Sequence, residues 1–299
     1  MKTVNGVKMI IIDGNMLAHR AFHKLDFLAN SAGIHTGMEY GFLRSVESLE
    51  RKFPGQKIII CFDTKNNKKK EKYPERYKAN RTKMKDKFYE RLNELQNFLL
   101  NFWDSAWQEG EEADDVMYSI AKNTEEVVYL YSNDNDLLQC INETTFVLKS
   151  HESSLYIWDE EKVKEKYGVP PELLVMLRSF VGDSSDNLDG VPRIQKRILV
   201  DAIYYALANG WTEPEHIAEH VIDYTSWSPA MLIKLHEFSR SGLWAENYEL
   251  MKLQECEYVY AEQKLTEEYV VLKLKEWEIG SLNLCKPYSG QLVDSESEF

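Results

Sequence analysis

Acidic residues follow three apolar, β-branched segments of this chain, each close to the point where the segment ends. "IIID" ends in Asp13, "IICFD" ends in Asp63, and "YLYSNDND" carries Asp134 and Asp136. The carboxyl ends of parallel strands meet at one edge of an open α/β sheet, so acids from distant parts of the chain can converge there. Converging carboxylates repel one another unless a cation lies among them. The pattern therefore predicts a cation site.

Two further acidic groups have spacings that suit the same site. "EEADD" opens a predicted helix on which Glu112 and Asp115 share a face, while Asp114 lies about 100° around it. The positive end of the helix dipole helps to keep these acids ionised. "GDSSDN" carries Asp183 and Asp186, again three positions apart. Ligation by oxygen alone favours two Mg²⁺ or Mn²⁺ ions over zinc.

Two such ions would stabilise the attacking and leaving oxygens of a phosphoryl displacement, and one would lower the pKa of a bound water. The predicted reaction is phosphodiester hydrolysis. Any one of these aspartates alone is more typical of a turn or helix cap. The joint pattern, not a single residue, favours the catalytic interpretation.

Positive charge is concentrated in one segment of an acidic chain. The net charge is −13, yet residues 65–87 hold eleven Lys or Arg against three Asp or Glu. Tyr73 and Tyr77 are interleaved with the basic residues, and aromatic rings among phosphate-binding cations are typical of single-strand channels. We therefore predict that this segment contacts a nucleic acid beside the acidic pocket.

The elements that position these residues are predicted from hydrophobic periodicity. Buried strands are predicted at 7–12, 57–62 and 127–131, with two shorter strands at 145–149 and 154–158. Helical segments lie between the first strands, and helical spacing continues from about 160 almost to 255. We expect a parallel α/β sheet followed by a helical part.

Composition excludes several classes of protein. Hydrophobic residues make up 43% of the chain and no apolar run is long enough to cross a bilayer, so we expect a cytoplasmic protein without a membrane partner. The four cysteines form no CxxC pair, which indicates reduced thiols and neither zinc nor disulfides.

Seven strings resemble motifs of the 5′-nuclease or flap endonuclease family and occur in the family's order over residues 7–210. They are "IDGNMLAHRAFH", "HTGMEYGF", "CFDTK", "YPERYKANR", "EEADD", "SNDNDLLQ" and "GDSSDNLDGVP". Chain length resembles that of the stand-alone bacteriophage or bacterial 5′-3′ exonucleases. The resemblance implies a PIN-like, mainly parallel central sheet flanked by helices in residues 1–160, with a helical arch at about 64–100. It also implies a helical C-terminal part, 161–299, with a helix-three-turn-helix module at about 172–210.

The implied function is that of a two-metal 5′-3′ exonuclease and structure-specific flap endonuclease acting in replication or repair. The implied substrates are DNA with a 5′ flap, a 5′ overhang or a single-stranded 5′ end. A monomer that works with replication proteins is expected, in the cytoplasm of a bacterium or of a phage host.

The resemblance also assigns roles to individual residues. The first-metal group comprises Asp13, Asp63, Glu112, Asp114 and Asp115, and the second comprises Asp134, Asp136, Asp183 and Asp186. Lys78 and Arg81 match arch-base cations that contact the scissile phosphate, and Tyr77 matches a stacking residue. The residues that match a motif for DNA bending or 5′-end placement are Arg20, Thr36, Gly37, Tyr40 and Gly41.

The sequence departs from the family at one hairpin. It reads "GVPRIQKR", with Arg193 and Gln195 where the family pattern has glycines. If either position needs φ > 0, its side chain costs about 1 kcal/mol. The departure leaves open whether the K⁺ site that the family usually forms here is kept. Arg193, Lys196 and Arg197 are predicted to contact duplex DNA through their charge.

Two alternative functions stay open at the level of sequence. A PIN-type ribonuclease also uses strand-end acids, although such domains are commonly shorter than this chain. A DNA-junction-binding protein without catalysis would share the fold. The sequence also leaves open the balance between exonuclease and flap endonuclease action.

Overall fold

The computed structural model describes residues 6–81, 86–100, 102–152, 154–262 and 267–280. The strands are β1 (Val7–Asp13), β2 (Lys57–Cys61), β3 (Asp104–Trp107), β4 (Val127–Tyr131), β5 (Thr145–His151), β6 (Ser154–Trp158), β7 (Gly182–Asp183), β8 (Leu188–Asp189) and β9 (Val259–Ala261). The first six helices are α1 (Gly14–Leu25), α2 (Gly37–Lys52), α3 (Lys68–Lys72), α4 (Asp86–Leu99), α5 (Ala113–Lys122) and α6 (Glu160–Tyr167). The others are α7 (Pro171–Val181), α8 (Lys196–Ala208), α9 (Pro214–His220), α10 (Pro229–Ser241), α11 (Leu243–Met251) and α12 (Glu267–Glu276), with 3₁₀ turns at Asp136–Cys140 and Val221–Asp223.

Within the described residues, the central sheet has seven strands in the order β6-β5-β4-β1-β2-β3-β9. The five inner strands are parallel, and β6 and β9 pair antiparallel at the two edges. The predicted mainly parallel α/β sheet is therefore confirmed, as are the five predicted strands. The sequence pattern missed β3 and β9, because strands of four and three residues are too short to show a period.

The sheet separates two hydrophobic cores. Met9 and Ile11 of β1 face the core that contains α5, α7 and α8, whereas Ile10 and Ile12 face the core that contains α1, α2 and α4. Successive side chains of a strand point to opposite faces, so an unbroken apolar run is what a strand covered on both faces requires. Burial of each such side chain contributes about 1.5–3 kcal/mol to stability.

The residues predicted to form the arch divide into two parts. Residues 64–81 lie beside the strand ends, and 82–85 are outside the described residues. Phe88 and Leu95 of α4 are fully buried in the core, so this helix packs against the sheet along its apolar face. The arch and the domain limits remain predictions.

The predicted helix-three-turn-helix region contains α7, the short β7–β8 hairpin and α8. Gly182 begins the hairpin with φ +79°, and a Cβ there would lie 2.4 Å from the Gly190 nitrogen. Only glycine tolerates both the backbone angle and this close approach. Within the described residues we find no helix with the length and apolar character needed to cross a bilayer. The three cysteines that the structure describes are free thiols.

Candidate active site

Strand-end carboxylates from β1, β2 and β4 form the centre of the candidate site. Asp13 is the last residue of β1 and also caps α1, accepting hydrogen bonds from the Met16 nitrogen at 2.8 Å and the Ser132 hydroxyl at 2.9 Å. Asp63 follows β2, and its carboxylate accepts a hydrogen bond from the Ala113 nitrogen at 2.8 Å. This bond joins the end of β2 to the start of α5, which carries Asp114.

Burial and like charge act together on these carboxylates. Burial raises the pKa of Asp13 to about 7, with further contributions from the charges of Asp63 and Asp134. Burial, Asp134 and Asp13 raise the pKa of Asp114 well above its usual value. One buried oxygen of Asp114, Oδ1, has no hydrogen-bond partner in the described part of the chain. Crowded carboxylates with an unpartnered oxygen are chemically suited to a divalent cation.

Glu112, the residue before α5, is held by the basic segment. One oxygen accepts a hydrogen bond from the Tyr77 hydroxyl at 2.6 Å, and the other pairs with Lys78. Burial by itself would raise the pKa of Glu112, but the charges of Lys78 and Lys69 outweigh it and hold the pKa at about 2. Glu112 is therefore ionised at any physiological pH.

Asp115, the next acid on α5, turns away toward the segment after α11. It is fully buried, accepts a hydrogen bond from the Gln254 nitrogen at 2.7 Å and pairs with Lys69 at 2.9 Å. These contacts tie the segment after α11 to α5. The metal-ligand role of Asp115 remains a prediction.

The second acidic group is paired with arginines. Arg178 of α7 contacts Asp136 and, at 2.5 Å, Asp183. Arg81 pairs with Asp186 at 2.6 Å. The Asp186 carbonyl also accepts a hydrogen bond from the Lys78 nitrogen at 2.9 Å, which links this group to the basic segment.

Among the described residues, no three His, Cys, Asp or Glu side chains are already arranged to hold one metal ion. The contacts above give a physical reason, because lysines and arginines hold several of the acids that were predicted as ligands. The charge of Asp134 acts on Asp13, Asp114 and Asp136, so acids of both groups lie around one region. Within the described residues, Oδ1 of Asp114 has no hydrogen-bond partner. The donor chemistry fits a divalent cation, although the side chains would have to exchange partners to bind it.

The basic segment, residues 65–87, is paired with acids of neighbouring elements in a way that its sequence did not indicate. Lys72 and the Tyr73 hydroxyl both contact Glu249 of α11, and Arg76 contacts Glu246 of the same helix. Lys68 pairs with Glu111. Much of the positive charge that was predicted to bind phosphate is thus neutralised by neighbouring acids.

The described conformation buries Tyr77, and its stacking role remains a prediction. Its side chain is only 2% exposed and packs with Val175, Leu188 and Leu250, while its hydroxyl is bound to Glu112. A base needs an open ring face, and Tyr77 offers none. In the described conformation, the Tyr77 hydroxyl and ring contact Glu112 and Lys78 and hold them in position.

The "HTGMEYGF" motif has a packing role in the structure. A Cβ at Gly37 would lie 1.7 Å from the Leu25 carbonyl oxygen, and one at Gly41 would lie 2.9 Å from the Ala21 Cβ. Both glycines therefore allow α2 to pack closely against α1. Thr36 is the buried residue before α2, and Tyr40 is half-buried on it.

Arg20 is placed on α1 near the end of the sheet. Its guanidinium donates a hydrogen bond to the Tyr131 hydroxyl at 2.7 Å and another to Ser150. The DNA roles predicted for Arg20, Thr36 and Tyr40 remain predictions.

The "GVPRIQKR" segment, which forms the turn before α8 and the first residues of α8, presents its basic residues to solvent. Arg193, Lys196 and Arg197 are all exposed. Arg193 has φ +61°, so one of the two glycine positions does require the left-handed conformation and its side chain costs about 1 kcal/mol. Gln195 has φ −83°, which any residue adopts.

Sequence reasoning missed two cations of the site, Arg178 and Lys149. The Lys149 ammonium, on β5, donates hydrogen bonds to the Asn135 side chain at 2.8 Å and the Asn133 carbonyl at 3.1 Å. Burial lowers the pKa of Lys149 to about 8. Neither residue belongs to a motif, so no local signal pointed to them.

The raised pKa values predict how the metal-free protein responds to pH. Asp13 and Asp136 each have a pKa of about 7, mainly because of burial, whereas an unfolded chain ionises aspartate near 4. Between these values the folded state binds protons that the unfolded state has lost, so stability falls as pH rises from about 4 to about 7. In EDTA we expect the melting temperature to fall by several degrees over this range.

Bound divalent ions would relieve the same repulsion, so we expect added Mg²⁺ to flatten the pH dependence. Thermal melts at matched ionic strength, with EDTA or with Mg²⁺, measure both effects. A melting temperature that rises with pH in EDTA would contradict the electrostatic interpretation.

Comparison with known proteins gives a consistent family match. A family model described as the 5′-3′ exonuclease, N-terminal resolvase-like domain, matches residues 8–168. The 5′-3′ exonuclease of Buchnera aphidicola subsp. Acyrthosiphon pisum is 30% identical over 199 residues, covering 65% of this chain and 69% of that protein. DNA polymerase I of Bacillus subtilis is 31% identical over 200 residues, which is 64% of this chain but only 23% of the polymerase.

The fold also has solved neighbours. The T5 D15 protein co-crystallised with metal ions superposes with a TM-score of 0.64 at 19% identity, covering 82% of this chain and 89% of that one. At this identity the likeness establishes the fold alone. It agrees with the mainly parallel sheet and flanking helices described above.

Proposed function

Because the chain belongs to the 5′-3′ exonuclease family, we propose that it hydrolyses DNA phosphodiester bonds as a 5′-3′ exonuclease and flap endonuclease. The proposed substrates are DNA with a 5′ flap, a 5′ overhang or a single-stranded 5′ end, processed by a monomer alongside replication proteins. Action on such DNA implies a place in the bacterial cytoplasm. The observation that carries the proposal is the crowding of Asp114 of α5 with the strand-end carboxylates of Asp13 and Asp134, because the charge of Asp134 helps to raise the pKa of both Asp13 and Asp114.

The proposed cofactors are two Mg²⁺ or Mn²⁺ ions. One would be held among Asp13, Asp63, Glu112, Asp114 and Asp115, and the other among Asp134, Asp136, Asp183 and Asp186. When bound, such ions lower the pKa of a water and stabilise charge on the transferring phosphoryl group. At the hairpin, exposed Arg193 and Lys196 place positive charge close by, so we propose that this turn holds duplex phosphate and not K⁺.

The chain's own cations would act on the scissile phosphate. Lys78 is nearly buried and is fixed between Glu112 and Asp186, and Arg81 pairs with Asp186. A fixed positive charge in a water-poor site stabilises a phosphoryl transition state without the cost of reorganising solvent. Ionised Glu112 keeps Lys78 protonated, since the charge of Glu112 raises the lysine pKa against the effect of burial.

The test is cleavage of a 5′-labelled flap DNA with Mg²⁺, with Mn²⁺ and with EDTA. We expect short 5′ products that require the metal, and no comparable cleavage of single-stranded RNA of the same length. Preferential cleavage of the RNA would favour a PIN-type ribonuclease.

A second candidate function is DNA-junction binding without catalysis. It is favoured by one observation, the pairing of predicted metal ligands with arginine and lysine in the described residues. Tight binding of flap DNA with no cleavage in either metal would support this alternative.

We predict separately that the exposed hairpin cations contribute to the affinity of the protein for duplex DNA. Replacement of Arg193, Lys196 and Arg197 together by alanine should weaken duplex binding and flatten its dependence on salt. Each lost phosphate contact should reduce the slope of log affinity against log salt by roughly 0.9. Fluorescence anisotropy with blunt duplex DNA over a range of KCl concentrations measures it. Replacement of Arg240, an exposed arginine on α10, is the matched control, and an unchanged slope in the triple variant would refute the assignment.

A further inference from the structure

Arg178 lies between two carboxylates that we assign to the second metal ion. One guanidinium nitrogen contacts Asp136 and another contacts Asp183 at 2.5 Å. The three side chains are 11%, 13% and 20% exposed, so water screens the contacts little. A forked arginine with one carboxylate on each nitrogen is a strong, oriented pairing.

In the first acidic group, Lys69 and Lys78 pair with Asp115 and Glu112, whereas among the described residues no ion pair reaches Asp13 or Asp114. The carboxylate of Asp13 accepts hydrogen bonds from an amide and a hydroxyl, both neutral, and Asp114 has an unpartnered buried oxygen. The two groups therefore differ in the carboxylates available to a cation. Asp13 is in contact with neutral partners and Asp114 has an unpartnered oxygen within the described residues, whereas Asp136 and Asp183 already share the guanidinium of Arg178.

We propose that Arg178 is an internal counter-cation that occupies the second-ion position in the metal-free protein and weakens binding of that ion. The proposal rests on the two-metal function proposed above. A metal ion and the guanidinium compete for the same oxygens of Asp136 and Asp183, so the ion binds only when Arg178 changes partner. A DNA phosphate would offer that partner, because phosphate accepts the same bidentate pairing as carboxylate.

This arrangement would couple the second ion to the substrate. Without DNA, Arg178 neutralises part of the buried acidic group and stabilises the metal-free protein. With DNA, a phosphate that attracts Arg178 would release carboxylate oxygens to the ion. Arg178 is in this respect a positioning residue, acting through Asp136 and Asp183.

The test measures Mn²⁺ binding to the DNA-free protein by electron paramagnetic resonance and by calorimetry. Three variants are compared with the unmodified chain: Arg178→Gln removes the charge, Arg178→Lys keeps it, and Arg240→Gln removes an exposed charge on α10. We expect Arg178→Gln to bind the weaker Mn²⁺ ion at least about tenfold more tightly, because the ion would no longer have to displace a guanidinium from the carboxylates of Asp136 and Asp183. Arg240→Gln should keep the unmodified affinity, and Arg178→Lys, which keeps the charge but loses the fork, should lie between Arg178→Gln and the unmodified chain.

Thermal melts provide a second readout that does not depend on activity. In EDTA, Arg178→Gln should melt below the unmodified protein, because two buried carboxylates lose their partner. Mn²⁺ should recover that loss, and so should raise the melting temperature more in the variant than in the unmodified chain. A loss of stability that Mn²⁺ does not recover, or a weaker ion bound no more tightly, would overturn the counter-cation role.

The same measurements separate this inference from the proposed function. If the unmodified protein binds Mn²⁺ but Arg178→Gln matches it, the Arg178 proposal alone fails. If the unmodified protein binds no Mn²⁺, with or without flap DNA, both proposals fail.

Discussion

Asp136→Ala is expected to reduce Mg²⁺-dependent flap cleavage by about 10³-fold or more while leaving DNA affinity within a few-fold of normal. Asp136 lies at the start of the 3₁₀ turn after β4, is largely buried and belongs to the second acidic group. Loss of a metal ligand removes several kcal/mol of transition-state stabilisation, and each 1.4 kcal/mol is about a factor of ten in rate.

Single-turnover cleavage of a 5′-labelled flap measures the rate, and anisotropy in EDTA measures binding to the same DNA. Asp159→Asn is the matched control, because Asp159 is remote from the acidic groups in sequence, caps α6, and asparagine caps a helix about as well. It should cleave at the normal rate. Equal turnover in Asp136→Ala and the unmodified chain would refute the metal assignment.

Lys78→Ala is expected to lower the single-turnover rate by about 10²–10³-fold, the usual effect of removing one fixed donor from a charged transition state. The main-chain nitrogen of Lys78 would still donate to Asp186, and the left-handed conformation, φ +53°, would be the same for alanine. The substitution therefore removes the ammonium and leaves the backbone of the segment intact.

Lys70→Ala is the control for general loss of charge, because Lys70 is an exposed residue of the same basic segment. It should weaken DNA binding slightly and leave the rate at saturating enzyme unchanged. If Lys78→Ala behaved like Lys70→Ala, with the whole defect in affinity, Lys78 would be a binding residue and its proposed catalytic role would be wrong.

Pairing with acids of α11 changes the interpretation of the basic segment. The segment approaches α11 through Lys72, Tyr73 and Arg76, which meet Glu246 and Glu249. These exposed or half-exposed pairs are each worth little in water, about 0–1 kcal/mol. DNA phosphate can therefore replace the acids at small cost. These ion pairs hold the basic segment in place in the DNA-free protein, but they are weak enough for DNA phosphate to replace them.

The sequence by itself determined the five longer strands of the sheet and the identity of the acids. A short apolar run such as "VKMIIID", rich in β-branched residues, favours an inner strand, in which it pairs its backbone and buries both faces, and this is a local property of seven residues. An acid at the end of such a strand is then positioned by the strand itself. For that reason Asp13, Asp63 and Asp134 were found at one end of β1, β2 and β4 as expected.

Only the tertiary structure decided which cations meet these acids. Arg178 reaches Asp136 across 42 positions of the chain, and the Tyr77 hydroxyl reaches Glu112 across 35. No spacing rule relates such residues, because their meeting depends on how α7 and the basic segment pack over the strand ends. The burial of Tyr77 has the same origin, since its neighbours Val175 and Leu250 belong to α7 and α11. Charge at a site is set by all the elements packed around it, and a sequence pattern describes one element at a time.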